Sequence, residues 1–159
     1  MINSRASKVI FLKSAIAISV ATFILAGCGK GGDKTAAAPA DGVEVKIGHV
    51  APLTGPIAHL GKDNENGARL AIEEINKSGL TIDGKKVVLT LVPEDDAADP
   101  KTATQVAQKL VDAKVVAVVG HLNSGTTIPA SKIYHDAGIT QVSPSATNPE
   151  YTKQGFKTA

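Results

Sequence analysis

Apolar and polar residues follow two different periods along the chain, and the two periods predict strands and helices in turn. Residues 43–50 alternate between apolar and polar and then become wholly apolar, which is typical of a β-strand. Residues 67–77 instead place apolar side chains at positions i, i+3, i+4 and i+7, beginning at Ala68, which is the pattern of an amphipathic helix. The body of the chain therefore begins as a strand followed by a helix.

The same two patterns recur through residue 142. They predict three further strands at residues 86–92, 115–119 and 139–142, and two further helices at residues 100–111 and 127–137. Asp99 is a suitable N-cap for the first of these helices, and Pro100 suits its first position. The resulting order, βαβαβαβ, predicts an α/β fold with a doubly wound parallel sheet and helices on both of its faces.

A parallel sheet of this kind binds ligands beyond the carboxyl ends of its strands, where the strand order reverses. The loops expected at that edge are residues 51–62, 94–99, 120–127 and 143–148. Residues 120–127 combine hydroxyl groups with the free N–H groups of a helix N-terminus, which suits a carboxylate. Residues 143–147 add further hydroxyls and carbonyls. Together the two loops predict a site for a small acid or zwitterion, and the alternative is that these hydroxyls only cap the helix.

The first 42 residues are expected to be a leader and a tether rather than part of the sheet. Three positive residues, without any acid among the first 28, precede a short apolar run, and residues 1–27 are therefore identified as a signal peptide. Residues 25–28, Leu-Ala-Gly-Cys, resemble the bacterial lipobox, which implies lipidation of Cys28. Residues 28–42 are rich in Gly, Ala and Pro and indicate a flexible tether.

Composition and charge exclude several classes of protein. The chain has 159 residues, of which 43% are apolar and 3% aromatic, and its single Cys is too few for a disulfide scaffold. Cleavage of the leader removes three positive charges and no negative ones, so the net charge of +2 becomes −1. The remainder has no basic patch interleaved with aromatic residues, which argues against nucleic-acid binding.

No catalytic constellation is evident, and we expect a protein that is not an enzyme and needs no cofactor or metal. The four His residues lack metal-ligand spacing, there is no G-x-S-x-G nucleophile motif, and the glycines of residues 55–62 are one position too far apart for a phosphate loop. The acidic segment 94–99 is open to two interpretations. It either holds a cation or forms a solvated turn with a helix cap, and the second is favoured.

Three stretches resemble the N-terminal lobe of the leucine/isoleucine/valine-binding proteins, which are type I periplasmic binding proteins. These stretches are residues 47–61 (IGHVAPLTGPIAHLG), 93–106 (PEDDAADPKTATQV) and 118–150 (VVGHLNSGTTIPASKIYHDAGITQVSPSATNPE). The family has two lobes and more than twice as many residues. The resemblance therefore implies that residues 43–159 are a truncated N-terminal lobe with half of a ligand site.

The resemblance also implies the residues of that half-site. Ser124 and Thr147 are expected to hold the carboxylate of the ligand, and the backbone carbonyl of Ser145 to accept from its ammonium group. Asn123 and Ala146 are expected to line the same wall.

This sequence departs from the family at two places. Leu60 stands where an aromatic residue usually packs on the ligand, so the wall is apolar but offers no flat ring. Some members carry a disulfide in this lobe, and its two positions hold Ala98 and Asn123, so that bridge is absent.

The function implied is that of an extracytoplasmic solute-binding protein of an ABC importer. It would be anchored by lipid in the periplasm or cell envelope, bind a branched-chain amino acid or a similar small polar ligand by hinge closure, and deliver it to a membrane permease. Three alternatives remain. One is an envelope lipoprotein of the same fold that regulates another protein, a second is a receptor for amides, urea or aromatic acids, and a third is a secreted α/β enzyme.

Overall fold

The computed structural model describes residues 42–159. The predicted signal peptide, the lipidation site at Cys28 and all of the predicted tether except Gly42 lie outside the described residues. Within residues 42–159, no helix is both long enough and apolar enough to cross a membrane.

The described chain contains five strands and four helices. The strands are β1 (Val43–Ala51), β2 (Thr81–Ile82), β3 (Lys85–Asp95), β4 (Ala117–Gly120) and β5 (Thr140–Val142). The helices are α1 (Ala58–Ser78), α2 (Pro100–Asp112), α3 (Ser124–Asp136) and α4 (Glu150–Lys153).

The strands form a single sheet in the order β2-β3-β1-β4-β5. β1 pairs in parallel with both β3 and β4, so that Gly48 lies beside Val92 on one side and Val118 on the other. β4 pairs in parallel with β5, and β2 alone is antiparallel. The chain builds the sheet outward from β1 in both directions, which confirms the predicted doubly wound α/β fold and places the reversal of strand order between β1 and β4.

Three elements differ most from the sequence prediction, and one of them, the four-residue helix α4, was not predicted. α1 begins nine residues earlier than predicted, because its first turns are mostly polar and carry no apolar stripe. β2 was not predicted at all. It is only two residues long and is joined to β3 by Asp83 and Gly84, which both have positive φ (51° and 74°), as a tight hairpin turn requires.

The main core lies between the sheet and the helix pair α2 and α3. It unites buried residues of two strands with the inner faces of both helices. Its members are Val50, Ala107, Leu110, Val115, Val118, Ala130, Tyr134 and Ile139. Gly48 allows this packing, because a Cβ there would press on the Leu110 and Val118 side chains.

The opposite face of the sheet is only partly covered by α1. An open cavity of about 880 Å³ lies between them, lined by aliphatic side chains of the helix and of the strands. The predicted inward residues of α1 point into this space, and Ile75 stays 38% exposed. The face that carries α1 is therefore less tightly packed than the face that carries α2 and α3.

Gly61 is the one buried residue of α1, and it allows the first turns of the helix to approach the end of β1. A Cβ at Gly61 would overlap the main-chain carbonyl of Pro52, which is not a flexible group that can move aside. We predict that Gly61→Ala lowers the free energy of unfolding of the full-length protein by about 3 kcal/mol. Chemical denaturation followed by circular dichroism measures this change.

Gly67→Ala is the matched control, since Gly67 lies in the same helix and a Cβ there meets nothing within 4 Å. Alanine favours helix over glycine by up to about 1 kcal/mol, so this variant is expected to be neutral or slightly more stable. Equal losses of stability in the two variants would contradict the close approach of α1 to Pro52.

His49 is a buried histidine on β1, and neither of its ring nitrogens has a hydrogen-bond partner within the described part of the chain. Burial disfavours the imidazolium and is the main cause of a lowered pKa. The Glu65 carboxylate and the Val119 main chain oppose this effect, whereas the charge of Arg69 adds to it. The folded protein therefore takes up a proton at His49 only at a lower pH than the unfolded chain does.

Because the unfolded chain binds this proton near pH 6.5 and the folded chain does not, stability falls as the pH drops below that value. We predict that His49→Val makes the free energy of unfolding less dependent on pH between pH 6.5 and 5. The slope should fall by up to about 1.4 kcal/mol per pH unit. Thermal unfolding of the full-length protein at several pH values measures the slope. The variant His59→Gln, at an exposed position on α1, should keep the wild-type slope, and an unchanged slope in His49→Val would refute the prediction.

Candidate functional site

The candidate site lies at the edge of the sheet where the parallel strands end. Ser124 is the first residue of α3 and follows the loop after β4, whereas Thr147 lies in the loop between β5 and α4. The two residues are distant along the chain. Since β4 and β5 are neighbours in the sheet, their following loops lie side by side.

The Ser124 hydroxyl joins these two loops directly. Its Oγ accepts hydrogen bonds from the main-chain N–H groups of Thr147 and Asn148, each at 3.2 Å. An oxygen that accepts two bonds still has its own hydrogen to donate. The two residues predicted to hold a carboxylate are thus in contact, and Ser124 keeps one donor available.

The N-terminus of α3 supplies further donors. Its N-cap Asn123 makes no side-chain capping bond, and its carbonyl accepts from the Thr126 and Thr127 N–H groups at 3.1 and 2.9 Å. Among the described residues, the N–H groups of Ser124 and Gly125 meet no acceptor. Free N–H groups at the positive end of a 13-residue helix attract an anion.

The loop after β5 is held against the loop after β4 by two more serines. The Ser143 hydroxyl donates to the His121 carbonyl at 2.6 Å and accepts from the Ala146 N–H at 3.0 Å. The Ser145 hydroxyl donates to the Leu122 carbonyl at 2.7 Å. These bonds use the Ser145 side chain for structure and leave its own carbonyl without a partner in this part of the chain.

The remaining predicted residues lie around this pair. Thr147 is exposed, and its hydroxyl makes no hydrogen bond within residues 42–159. Leu60, in the first turns of α1, is 46% exposed and lines the open cavity together with Leu122 and Ser145. Asn123 has a buried side-chain oxygen that has no partner in the described structure.

The acidic loop after β3 makes hydrogen bonds to other parts of the protein through Asp95. Asp95 Oδ1 accepts from the Leu53 and Ala97 N–H groups, both at 2.8 Å, and Oδ2 accepts from the Thr54 hydroxyl at 2.6 Å. This carboxylate therefore fastens the loop after β1 to the loop after β3. Within the described residues, no group of three or more His, Cys, Asp or Glu is placed to hold a metal ion.

The hydrogen bonds also set the charge of Asp95. Partial burial favours the protonated carboxyl, but the bonds from the Thr54 hydroxyl and from the N–H groups of Ala97 and Leu53 outweigh it and lower the pKa. The charged form is the one that accepts these bonds. The sequence predicted either a cation site or a solvated turn with a helix cap in this segment. The cap is confirmed, since Asp99 accepts from the Thr102 N–H at 2.7 Å. The contact between Asp95 and Thr54 was missed, because nothing in the pattern brings the two loops together.

A second aspartate of this loop was also missed. Asp96 is fully buried, and its Oδ2 lies 2.8 Å from Nδ1 of the buried His121. The other ring nitrogen of His121 lies 3.1 Å from the hydroxyl of the buried Tyr134. Burial, then the charges of Asp96 and Glu94, raise the pKa of Tyr134, so the phenol keeps its proton.

The sequence itself places the chain among known proteins. The profile of the periplasmic binding protein family matches residues 44–158. The Leu/Ile/Val-binding protein homolog 1 of Brucella abortus (strain 2308) is 46% identical over 113 residues, which are 71% of this chain and 30% of that protein. The chain thus spans about a third of the length of the relatives that it matches.

Solved structures agree with this family match. A branched-chain amino acid transporter substrate-binding protein of Streptococcus pneumoniae, in complex with isoleucine, gives a TM-score of 0.66 at 38% identity, covering 73% of this chain and 32% of that one. A second structure is a solute-binding protein of an ABC transporter from Rhodopseudomonas palustris BisB5, in complex with 3,4-dihydroxybenzoic acid. Its TM-score is 0.59 at 28% identity, and the match covers 70% of this chain and 30% of that one.

The ligand in each of these two related structures is a small molecule with a carboxylate group. The fold, with its doubly wound parallel sheet, agrees with the family profile over nearly all of the described residues. The chain belongs to the periplasmic binding protein family.

Proposed function

We propose that the full-length protein is an extracytoplasmic solute-binding protein that binds a branched-chain amino acid, leucine, isoleucine or valine, and delivers it to the membrane permease of an ABC importer. The observation that carries this proposal is the contact between Ser124 and the Thr147 main chain beside the free N–H groups of α3. Residues 43–159 are its N-terminal lobe in this proposal.

Each part of an amino acid finds a complementary group in this half-site. The carboxylate accepts from the Ser124 and Thr147 hydroxyls and from the Gly125 N–H. The ammonium donates to the Ser145 carbonyl, which has no other partner in the described structure. The aliphatic side chain packs toward Leu60, beside the Asn123–Ala146 wall.

The mechanism follows from a site that is open on one side. This lobe offers donors and one acceptor on its rim, and the second lobe closes over the bound ligand by a hinge motion. Closure excludes water and strengthens the hydrogen bonds to the charged groups. No bond of the ligand is made or broken, so the protein acts as a carrier.

The location of the protein follows from its first 42 residues. In this proposal residues 1–27 direct export, and lipid on Cys28 anchors the mature protein to a membrane of the cell envelope.

An aromatic acid is the second candidate ligand, and one observation favours it. A related solute-binding protein holds 3,4-dihydroxybenzoic acid, whose carboxylate fits the same donors but which has no ammonium group. The Ser145 carbonyl distinguishes the two candidates, because an amino acid carries its ammonium donor next to the carboxylate. The hydroxyl donors of 3,4-dihydroxybenzoic acid lie instead on the far side of its ring.

Loss of either hydroxyl is predicted to weaken binding. Ser124→Ala and Thr147→Ala should each reduce the affinity of the full-length protein for leucine by about 1–3 kcal/mol, because each removes a hydrogen bond to a charged group. Ser124→Ala should have the larger effect, since it also removes the acceptor for the Thr147 and Asn148 N–H groups. Isothermal titration calorimetry measures the affinities.

Thr104→Ala is the control for these two variants. The Thr104 hydroxyl bonds only within α2, to the Lys101 carbonyl at 2.8 Å, and it lies on an element that carries no site residue. Its affinity for leucine should equal that of the wild-type protein. Wild-type affinity in both Ser124→Ala and Thr147→Ala would exclude this placement of the carboxylate.

A ligand series tests which charged groups are recognised. Leucine should bind at least about tenfold more tightly than either leucinamide, which lacks the carboxylate, or 4-methylpentanoate, which lacks the ammonium, because each analogue leaves a polar group of the site unpaired. Thermal stabilisation by each ligand ranks the affinities. Stronger stabilisation by 3,4-dihydroxybenzoate than by leucine would favour the aromatic acid, and no stabilisation by any of them would oppose ligand transport.

A further inference from the structure

A chain of three buried polar side chains runs beneath the candidate site. Asp96, His121 and Tyr134 are each inaccessible to solvent. Asp96 Oδ2 lies 2.8 Å from His121 Nδ1, and His121 Nε2 lies 3.1 Å from the Tyr134 hydroxyl. We call these three residues the Asp–His–Tyr network. None of them contacts the ligand in the proposed function.

The network fixes the His121 side chain from two separate elements. Asp96 is itself held in the loop after β3, because its Oδ1 accepts from the Ala98 N–H at 3.0 Å and its N–H donates to the Ala51 carbonyl at 3.3 Å. Tyr134 belongs to α3. A buried polar group left unpaired is costly, so an imidazole bonded at both nitrogens has a well-determined position.

The main-chain carbonyl of His121 in turn binds groups of both loops of the candidate site. Its carbonyl accepts from the Thr127 hydroxyl of α3 at 3.0 Å and from the Ser143 hydroxyl at 2.6 Å. Ser143 holds the Ala146 N–H, and Ala146 directly precedes Thr147. Ser124 lies three residues after His121. The position of this one residue therefore determines the position of both loops that hold the proposed carboxylate donors.

We propose that the Asp–His–Tyr network is the positioning device of the binding site, and that it sets the separation of Ser124 and Thr147 through the His121 carbonyl. His121 is accordingly a positioning residue. In its effect on ligand affinity, this inference rests on the proposed function.

Two conservative variants test it in the full-length protein. Tyr134→Phe removes one hydroxyl and leaves the ring in the core, and Asp96→Asn keeps the shape of the side chain while removing its charge. Asn76→Ala is the control. It removes two hydrogen bonds between α1 and the main chain of Leu89, both at 2.8 Å, and therefore loosens the lobe without contacting any loop of the site.

The first measurement needs no ligand. Amide hydrogen exchange of residues 120–127 and 143–148 should become at least about tenfold faster in Tyr134→Phe and in Asp96→Asn, but not in Asn76→Ala. Unchanged exchange in both network variants would overturn the proposal. The same acceleration in Asn76→Ala would also overturn it, because the effect would then reflect general loss of stability.

The second measurement asks whether the network acts through Ser124. Tyr134→Phe should weaken leucine binding at least about fivefold in the wild-type background but less than about twofold in the Ser124→Ala background, since coupled residues are not additive. Equal effects in the two backgrounds would refute action through Ser124. If the wild-type protein binds no leucine, the proposed function fails, and the exchange measurement still decides whether the network positions the loops.

Discussion

The structure depends on one strand. β1 pairs in parallel along its whole length with β3 and, over its carboxyl half, with β4, so three loops are delivered to one edge of the sheet. Parallel pairing demands a helix after each strand, and those helices divide between the two faces. Gly48 lets α2 approach the sheet closely on one face, and Gly61 lets α1 approach on the other. Gly48 makes room for the Leu110 side chain, whereas Gly61 lies directly against the main chain of Pro52.

Loops beyond a sheet edge have no ladder to hold them, and here side chains take over that role. Asp95 binds the loop after β1 to the loop after β3. Ser124 and Ser143 bind the loop after β4 to the loop after β5. Each of these side chains accepts from main-chain N–H groups that would otherwise be unsatisfied. The loops of the candidate site are thus held in place by the protein's own hydrogen bonds, and under the proposed function this reduces the ordering cost of ligand binding.

Much of this was predictable from the sequence, and the remainder was not, for a physical reason. Periodicity predicted every parallel strand, because each of them lies in a segment of alternating or continuous apolar residues. The hydroxyl-rich loops predicted an anion site, and the family resemblance singled out Ser124 and Thr147, which the fold brings together. By contrast, the hydrogen bonds that join Asp95 to the loop after β1, Asp96 to His121, and the His121 ring to Tyr134 span 13 to 42 residues of the chain. No local pattern encodes such a pairing. Polar residues that looked like a solvated turn are instead buried or bonded across loops.

The donors of the proposed site are neutral, and under the proposed function this is how one scaffold both holds and releases a charged ligand. Hydroxyl and main-chain N–H groups at the N-terminus of α3 stabilise a carboxylate without an opposing ion, so no strong ion pair must be broken on release. Neutral donors are effective only when they are held in place and shielded from water. The first condition is met by Ser124 Oγ, whose two accepted bonds orient its remaining hydrogen. The second depends on closure, which is why affinity in such a carrier follows the position of its lobes as much as the identity of its contacts.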